Sequence, residues 1–366
     1  MKELLKEPVK LTSERAWRTY VGGRNIDEFT NCDSPKDSNF PELWIMSTTK
    51  ASNSCRKNID EGKSQIIVAG KIDKTLTELV KEYPNEVLGK KYAQLTRNEI
   101  GVLTKIIDSK ERLTIQAHPT KQKAKKYFNS NYGKTEAWHI LDTRDDNACI
   151  YLGFKENVVF EEFKNAFYAQ NLDEMLGMLH KINVKKNETY LIPGGFPHAI
   201  GANCMLIEIQ EPTDYTLRVE KTTPFGLKIE EMDCHQGIGT EAMFDCFDQR
   251  GYSFDEVIDQ CRISHEIIDQ EKNSIQPIIS YEDTECFSLD KIIIRDQMVF
   301  QAENEFYGLF IYEGNGKYIV DDINEKQENE LKKGDTVLIT SNCQQFIVHA
   351  KPKEEIVLYK IKGQNI

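Results

Sequence analysis

The chain has 366 residues, enough for about two domains with a sizeable core. Lys and Arg number 47 against 59 Asp and Glu, a net charge of −12 that repels phosphate backbones, so no nucleic-acid partner is expected. No apolar run nears the ~20 residues of a membrane span, the start MKELLKEPVKLTSERAW has no apolar signal core, and nine Cys without a CxxC pair suit free thiols in a reducing cytoplasm.

The first hundred residues read as short strands and turns with one helix. IIVA (66–69) looks like a buried strand stopped by Gly70, and Thr75 caps a helix whose Leu76, Leu79 and Val80 recur at helical spacing. Strands follow over VLTKIID, RLTIQAHP, EAWHILDT and ACIYLGF between 101 and 153. In the second of these, Leu113, Ile115 and Ala117 alternate with Thr114, Gln116 and His118, so one face is apolar and the other can bind. Residues 157–181 switch to helical period, with a Phe160, Phe163, Phe167 stripe and an Asn171–Glu174 capping box before a Met175, Leu176, Leu179 stripe. TYLIP, MLIEIQ and YTLRV return to strand within 188–219, and 240–270 reads as helix with a Ser253–Glu256 capping box. From Cys286 onward, short strands separated by acidic turns point to a β-sandwich or barrel, best read as a jelly roll. The acidic stretch 321–335 reads as a solvated hairpin loop.

Four polar groups stand out. Gln116 and His118, two apart on a strand, reach the same side. Glu136 follows Gly133-Lys134-Thr135 at the mouth of an apolar strand. In IPGGFPHAIG (192–201) two glycines and Pro197 stiffen the approach to His198. Glu208 and Gln210 share a strand face, with Arg218 on the strand after it. Each is weak alone, since a strand-end charge or a core histidine is ordinary. Together, Gln116, His118, Glu136 and His198 offer two nitrogens and two oxygens, a set that suits a borderline divalent metal such as zinc. With the basic Lys105, Lys134 and Arg218 they suit a phosphorylated substrate that has a polarisable carbonyl. His139, His180, His235, His265 and His349 have no partner motif and read as surface or packing residues; Trp44 and Trp138 read as core.

These motifs, in order and spacing, resemble the type I mannose-6-phosphate isomerases over roughly residues 17–220: YVGG (20–23), ELWIMS (42–47), LTIQAHP (113–119), GKTEAW (133–138), PGGFPHA (193–199) and EIQEPTDYTLR (208–218). The resemblance implies a mainly β chain with helical elements, in which two cupin-type jelly rolls are joined by short helical segments. It implies a catalytic domain at 1–240, a helical linker at 241–285 and a metal-free C-terminal jelly roll at 286–366. It implies one zinc ion per chain on Gln116, His118, Glu136 and His198, with Arg218, Lys134 and Glu208 catalytic and Lys105 and Thr114 holding the substrate phosphate. Tyr20 stands where the family has Trp, Thr114 where it has Ser, and Pro224 where some members carry a lysine that Lys221 could replace.

The implied reaction interconverts mannose 6-phosphate and fructose 6-phosphate through a cis-enediol in a cytoplasmic enzyme, monomeric or a small homo-oligomer. The base is open between Lys134, Glu208 and a water on the metal. Two rivals on the same scaffold are an isomerase of another phosphorylated aldose and a non-catalytic sugar-phosphate-binding cupin. A third, an iron dioxygenase, calls for a His-rich ligand set that this chain lacks.

Overall fold

Alternation along the strands gives the central sheet two different faces. In the computed structural model, which describes residues 1–270, 272–321 and 326–366, seven antiparallel strands lie in the order Arg262–Ile263, Thr189–Ile192, Glu136–Thr143, Cys204–Gln210, Leu103–Asp108, Glu42–Ile45 and Glu14–Ala16. Side chains two apart share a face. Trp138, Ile140, Leu206 and Ile107 therefore enter one core, while Ala137, Leu141, Met205, Ile207, Ile209 and Ile106 enter another.

The first face packs on a second sheet, ordered Leu179–Asn183, Cys149–Lys155, His198–Ile200, Gln116–Ala117 and Leu217–Arg218. Ile150, Leu152, Ile182 and Ile200 meet Trp138 and Leu206 between the two layers, which gives a sandwich with its own apolar interior. The outer side of this second sheet is covered by the helices Phe160–Ala169, Leu172–Gly177 and Thr240–Asp245. There Phe163, Phe167, Met175, Phe244 and Phe247 pack around Phe154.

The opposite face of the central sheet rests on a nine-stranded sheet, where Phe310, Leu338, Tyr359 and Ile361 meet Ala137, Ile207 and Ile209. Six of its strands come from residues 268–362, and the last three, Val9–Leu11, Gln65–Val68 and Lys71–Thr75, come from the N-terminal segment. Val9 pairs with Leu338. A four-stranded sheet (Gln297–Phe300, Phe346–Ala350, Gly316–Asp321, Lys326–Leu331) closes the far side over a core that includes Phe300, Tyr318, Leu331 and Phe346. The chain is thus mainly β, built of antiparallel sheets with helices at the edges, as its patterning predicts.

Local expectations meet mixed outcomes. Capping boxes form at Thr75–Glu78 and Ser253–Glu256. At Asn171 the side chain accepts from the Glu174 N–H, but the Glu174 carboxylate takes the Asn171 amide rather than its backbone N–H. The strand expected over 113–118 is laddered only at Gln116–Ala117, because the Ile115 N–H goes to the Glu220 carboxylate and the Leu113 N–H to the Ile200 carbonyl. Of Ile66 to Ala69 only Ile66 is buried, since the strand lies near a sheet edge and turns at Ala69 and Gly70. Within 321–335, Lys326–Leu331 is a strand that buries Leu331; 322–325 lie outside the described residues. The strands Asn273–Ile279 and Gln297–Phe300 escape the sequence reading, as does strand in place of helix at 262–270. All nine cysteines are free thiols. No helix among the described residues is long and apolar enough to cross a membrane.

Candidate active site

The inward alternation that buries Trp138 and Leu206 also carries polar residues into the same space. Glu136 begins its strand on the inner face, and Gln116, His118 and His198 come from the facing sheet, where Gln116 and His198 are cross-strand partners. All four are at least nine-tenths buried. His118 Nε2 lies 3.1 Å from Glu136 Oε2, His198 Nε2 lies 3.4 Å from Glu136 Oε1, and Gln116 Nε2 lies 3.3 Å from His198 Nε2. The imidazole centroids of His118 and His198 are 4.7 Å apart.

The other ring nitrogens face backbone carbonyls, His118 Nδ1 at 2.7 Å from Tyr215 O and His198 Nδ1 at 2.8 Å from Phe196 O. A ring that donates its Nδ1–H outward turns the Nε2 lone pair inward, the tautomer a metal ligand needs. Burial favours neutral rings: the His118 pKa is pulled down to about 4 by burial and the nearby Lys134 ammonium, and that of His198 is lowered by burial. Against burial, which raises it, the Lys134 ammonium holds the Glu136 carboxyl well below its usual range.

His118, Glu136 and His198 bring their ligand atoms within 4.8 Å of one another, the donor set of a divalent cation, with the Gln116 amide beside it. Glu136 Oε1 is buried and has no hydrogen-bond donor among the described residues. Such an orphaned carboxylate oxygen costs free energy unless something positive binds it. The residues fit a metal on this observation, and zinc suits their mixed nitrogen and oxygen chemistry.

Backbone closeness sets the two loops that deliver these ligands. A Cβ on Gly133 would stand 2.6 Å from Lys121 N and 2.7 Å from Pro119 O, so only glycine lets the segment before Glu136 lie against the turn after His118. The two glycines before His198 do different work: Gly195 has φ +91°, while Gly194 leaves room for Thr120 Cα. Gly133→Ala is therefore expected to push the two loops apart, at a cost of about 1–3 kcal/mol. A lowered melting temperature together with weaker metal binding is the expected result, and an unchanged melting curve would contradict it.

Next to the metal residues a pocket of about 40 Å³ is lined by Arg18, Glu42, Lys105, Thr114, Gln116, Lys134, Glu208, Asp214 and Arg218, among others. The structure thus gathers every site residue named from the sequence around one point. Lys134 Nζ lies 2.7 Å from both His118 Nε2 and Glu136 Oε2. Lys105 Nζ donates to Glu208 Oε2 at 2.7 Å, and the Trp138 indole donates to Glu208 Oε1 at 3.2 Å. Burial opposes the Lys105 charge, but Glu208 and Glu42 together raise its pKa. Arg218 donates to the carbonyls of Thr216 and Asp233 and has no carboxylate within ion-pair distance among the described residues. Burial lowers its pKa.

Lys221 does not join them: it is exposed, with its ammonium 5.5 Å from the centre of the Phe167 ring. Of the five other histidines, His139 and His180 are buried in packing, His265 pairs with Asp283, and none belongs to the His118, Glu136, His198 cluster. A wider groove of about 560 Å³ shares Asp214 but holds none of the four metal-site residues.

Sequence reasoning did not single out Arg18, Glu42 or Asp214. Arg18 bonds Glu42 and Asp214, and Glu42 also accepts from the Tyr20 hydroxyl and the Trp44 indole. Burial pushes the Glu42 carboxyl up, but Arg18 and Lys105 hold it down at about 2. Glu42 and Asp214 stand inside the quoted motifs; Arg18 lies in none, and only the fold brings it to the pocket.

Residues 10–137 match the family described as phosphomannose isomerase type I, catalytic domain. The chain is 31% identical over 216 residues to GmuF of Bacillus subtilis, a probable mannose-6-phosphate isomerase, and 30% identical over 216 residues to a mannose-6-phosphate isomerase of Streptococcus mutans. Each match covers 59% of this chain, and 60% and 61% of those relatives respectively. Its fold is that of the mannose 6-phosphate isomerase crystal structure from Bacillus subtilis, at 23% identity and a TM-score of 0.73 over 97% of this chain and 99% of that one.

Proposed function

We propose that this chain, which resembles the type I phosphomannose isomerases in its catalytic region and in its fold, interconverts mannose 6-phosphate and fructose 6-phosphate with one zinc ion. The observation that carries the reading is the buried His118, Glu136, His198 cluster, joined through Gln116 and Lys134 to a pocket lined by four cations, Arg18, Lys105, Lys134 and Arg218. Arg18 pairs with Glu42 and Asp214, Lys105 with Glu208 and Lys134 with Glu136, so that with Arg218, unpaired among the described residues, four positive charges stand against four negative ones. A dianionic phosphate entering so balanced a site calls for a divalent cation to offset it.

Gln116, His118, Glu136 and His198 would hold the zinc ion, which when bound supplies Lewis-acid polarisation of the sugar carbonyl. Moving hydrogen between C1 and C2 through a cis-enediol places negative charge on an oxygen, and the buried Arg218 guanidinium is placed to stabilise it without reorganising. Part of its donor capacity goes to two carbonyls and none to a carboxylate among the described residues, so its charge is available to substrate. A side chain must also take the carbon-bound proton and return it. Glu208, fixed by Lys105 and Trp138, and Lys134 are the pocket groups able to do so. Lys105 and Thr114, on the pocket wall, would hold the phosphate.

The test is a coupled assay on mannose 6-phosphate with zinc-loaded protein, with and without a chelator. Activity that vanishes on chelation and returns with zinc is expected. A fully metallated protein that is inactive on mannose 6-phosphate but turns over another phosphorylated aldose would replace the substrate in this reading.

A further inference from the structure

Arg18 has a fractional exposure of only 4%, and each nitrogen of its guanidinium donates to a carboxylate. Nη1 and Nη2 meet Asp214 Oδ2 and Oδ1 at 3.0 and 3.1 Å, Nε donates to Glu42 Oε2 at 2.9 Å, and the group lies 5.0 Å from the centre of the Trp44 ring. A bidentate fork of this kind fixes the angle as well as the distance of its carboxylate, which a lysine cannot do.

Asp214 sits in the turn that delivers two site residues. The next carbonyl, Tyr215 O, meets His118 Nδ1, and four residues on, Arg218 pairs in register with Gln116. The same turn is tied from outside by Ser52 N–H donating to Asp214 Oδ2 at 2.8 Å, and by Gln236, whose amide donates to Asp214 O and accepts from Thr216 N–H. The Tyr215 ring stacks on Phe128 at 4.2 Å. Ser52, Gln236, Tyr215 and Phe128 line the wider groove, whereas Arg18 and Glu42 line the pocket, and Asp214 stands on both.

Building on the isomerase reading above, we propose that Arg18 is a positioning residue: its clamp on Asp214 holds the Tyr215 carbonyl that orients His118 and sets where Arg218 enters the pocket. Metal affinity and turnover then depend on a side chain that touches neither the metal ligands nor the reacting carbons.

The experiment compares Arg18→Met, Arg18→Lys, Asp214→Asn and the double variant Arg18→Met/Asp214→Asn. The double variant removes the clamp without leaving Asp214 as a lone buried charge, so a foldable protein is available if the first variant is not. Competition of Zn2+ against a chelator is expected to show affinity about tenfold or more weaker in Arg18→Met and in the double variant, with partial recovery in Arg18→Lys. Turnover is expected to fall with KM near that of the parent. In metal-free protein, nitrogen NMR of the His118 ring is expected to show the Nδ1–H tautomer in the parent and a mixture in the variants. That measurement needs neither metal nor substrate, so it separates failure of this proposal from failure of the isomerase reading. Variants that melt lower but keep one His118 tautomer and the parent's zinc affinity would overturn the proposal and leave Arg18 a purely structural ion-pair partner.

Discussion

Glu136→Gln is expected to abolish zinc retention and isomerase activity together, with zinc affinity reduced by more than about a hundredfold. Changes to groups that merely support a ligand cost about 10–100-fold, and Glu136 lies at the centre of the ligand set, with one oxygen near each histidine. Gln keeps the volume but removes the charge that pairs with Lys134 at 2.7 Å. That ammonium is buried, and a buried charge stripped of its partner costs about 3–5 kcal/mol. The variant is therefore expected to melt lower than the parent as well. Zinc content after equilibration in a chelator-buffered solution, measured beside the coupled assay, decides the matter. Stoichiometric zinc in the variant would remove Glu136 from the ligand set.

Arg218→Ala is expected to behave in the opposite way: turnover falls by about 10²–10³-fold while zinc content and melting temperature stay close to those of the parent. The reasoning is electrostatic. Its guanidinium donates to two carbonyls and pairs with no carboxylate among the described residues, so its removal strands no buried charge. On the proposed mechanism, what is lost is a fixed positive charge close to where an oxygen becomes negative. Arg218→Lys should recover only part of the rate, because an ammonium cannot reproduce the planar fork. Zinc lost along with the rate would instead make Arg218 structural, through the register in which it pairs with Gln116.

How far the site was legible depends on the kind of signal. Gln116 and His118 could be paired from spacing alone, because a strand repeats every two residues, and the structure does place them on one wall of the site. Thr75 and Ser253 announced their helices because capping is local chemistry. Arg18 could not be found this way. It lies 24 residues from Glu42 and 196 from Asp214, and only sheet order makes them neighbours. The short ladder at 116–117 escaped for a related reason. Its neighbouring N–H groups are taken by the Glu220 side chain and by an isolated carbonyl contact, and neither leaves a periodic trace. Lys221 looked like a substitute cation by proximity to Arg218 in the chain, but the chain turns outward after the strand and carries it onto Phe167.

By itself, the order of residues determined the strand-rich character of the chain, the helix starts at Thr75, Asn171 and Ser253, the polar residues placed every second position on otherwise apolar strands, and the motifs that carry its likeness to the sugar-phosphate isomerases. These are local or periodic properties, written within a few residues of one another. Tertiary structure alone decided that Val9–Leu11 and residues 65–75 complete the sheet of the C-terminal half. It decided too that Gly194 is needed for space rather than for its backbone angle, and that four cations and three carboxylates close on one pocket. Those outcomes depend on which strands become neighbours, and that choice is made by burial summed over the whole core rather than by any short stretch of sequence.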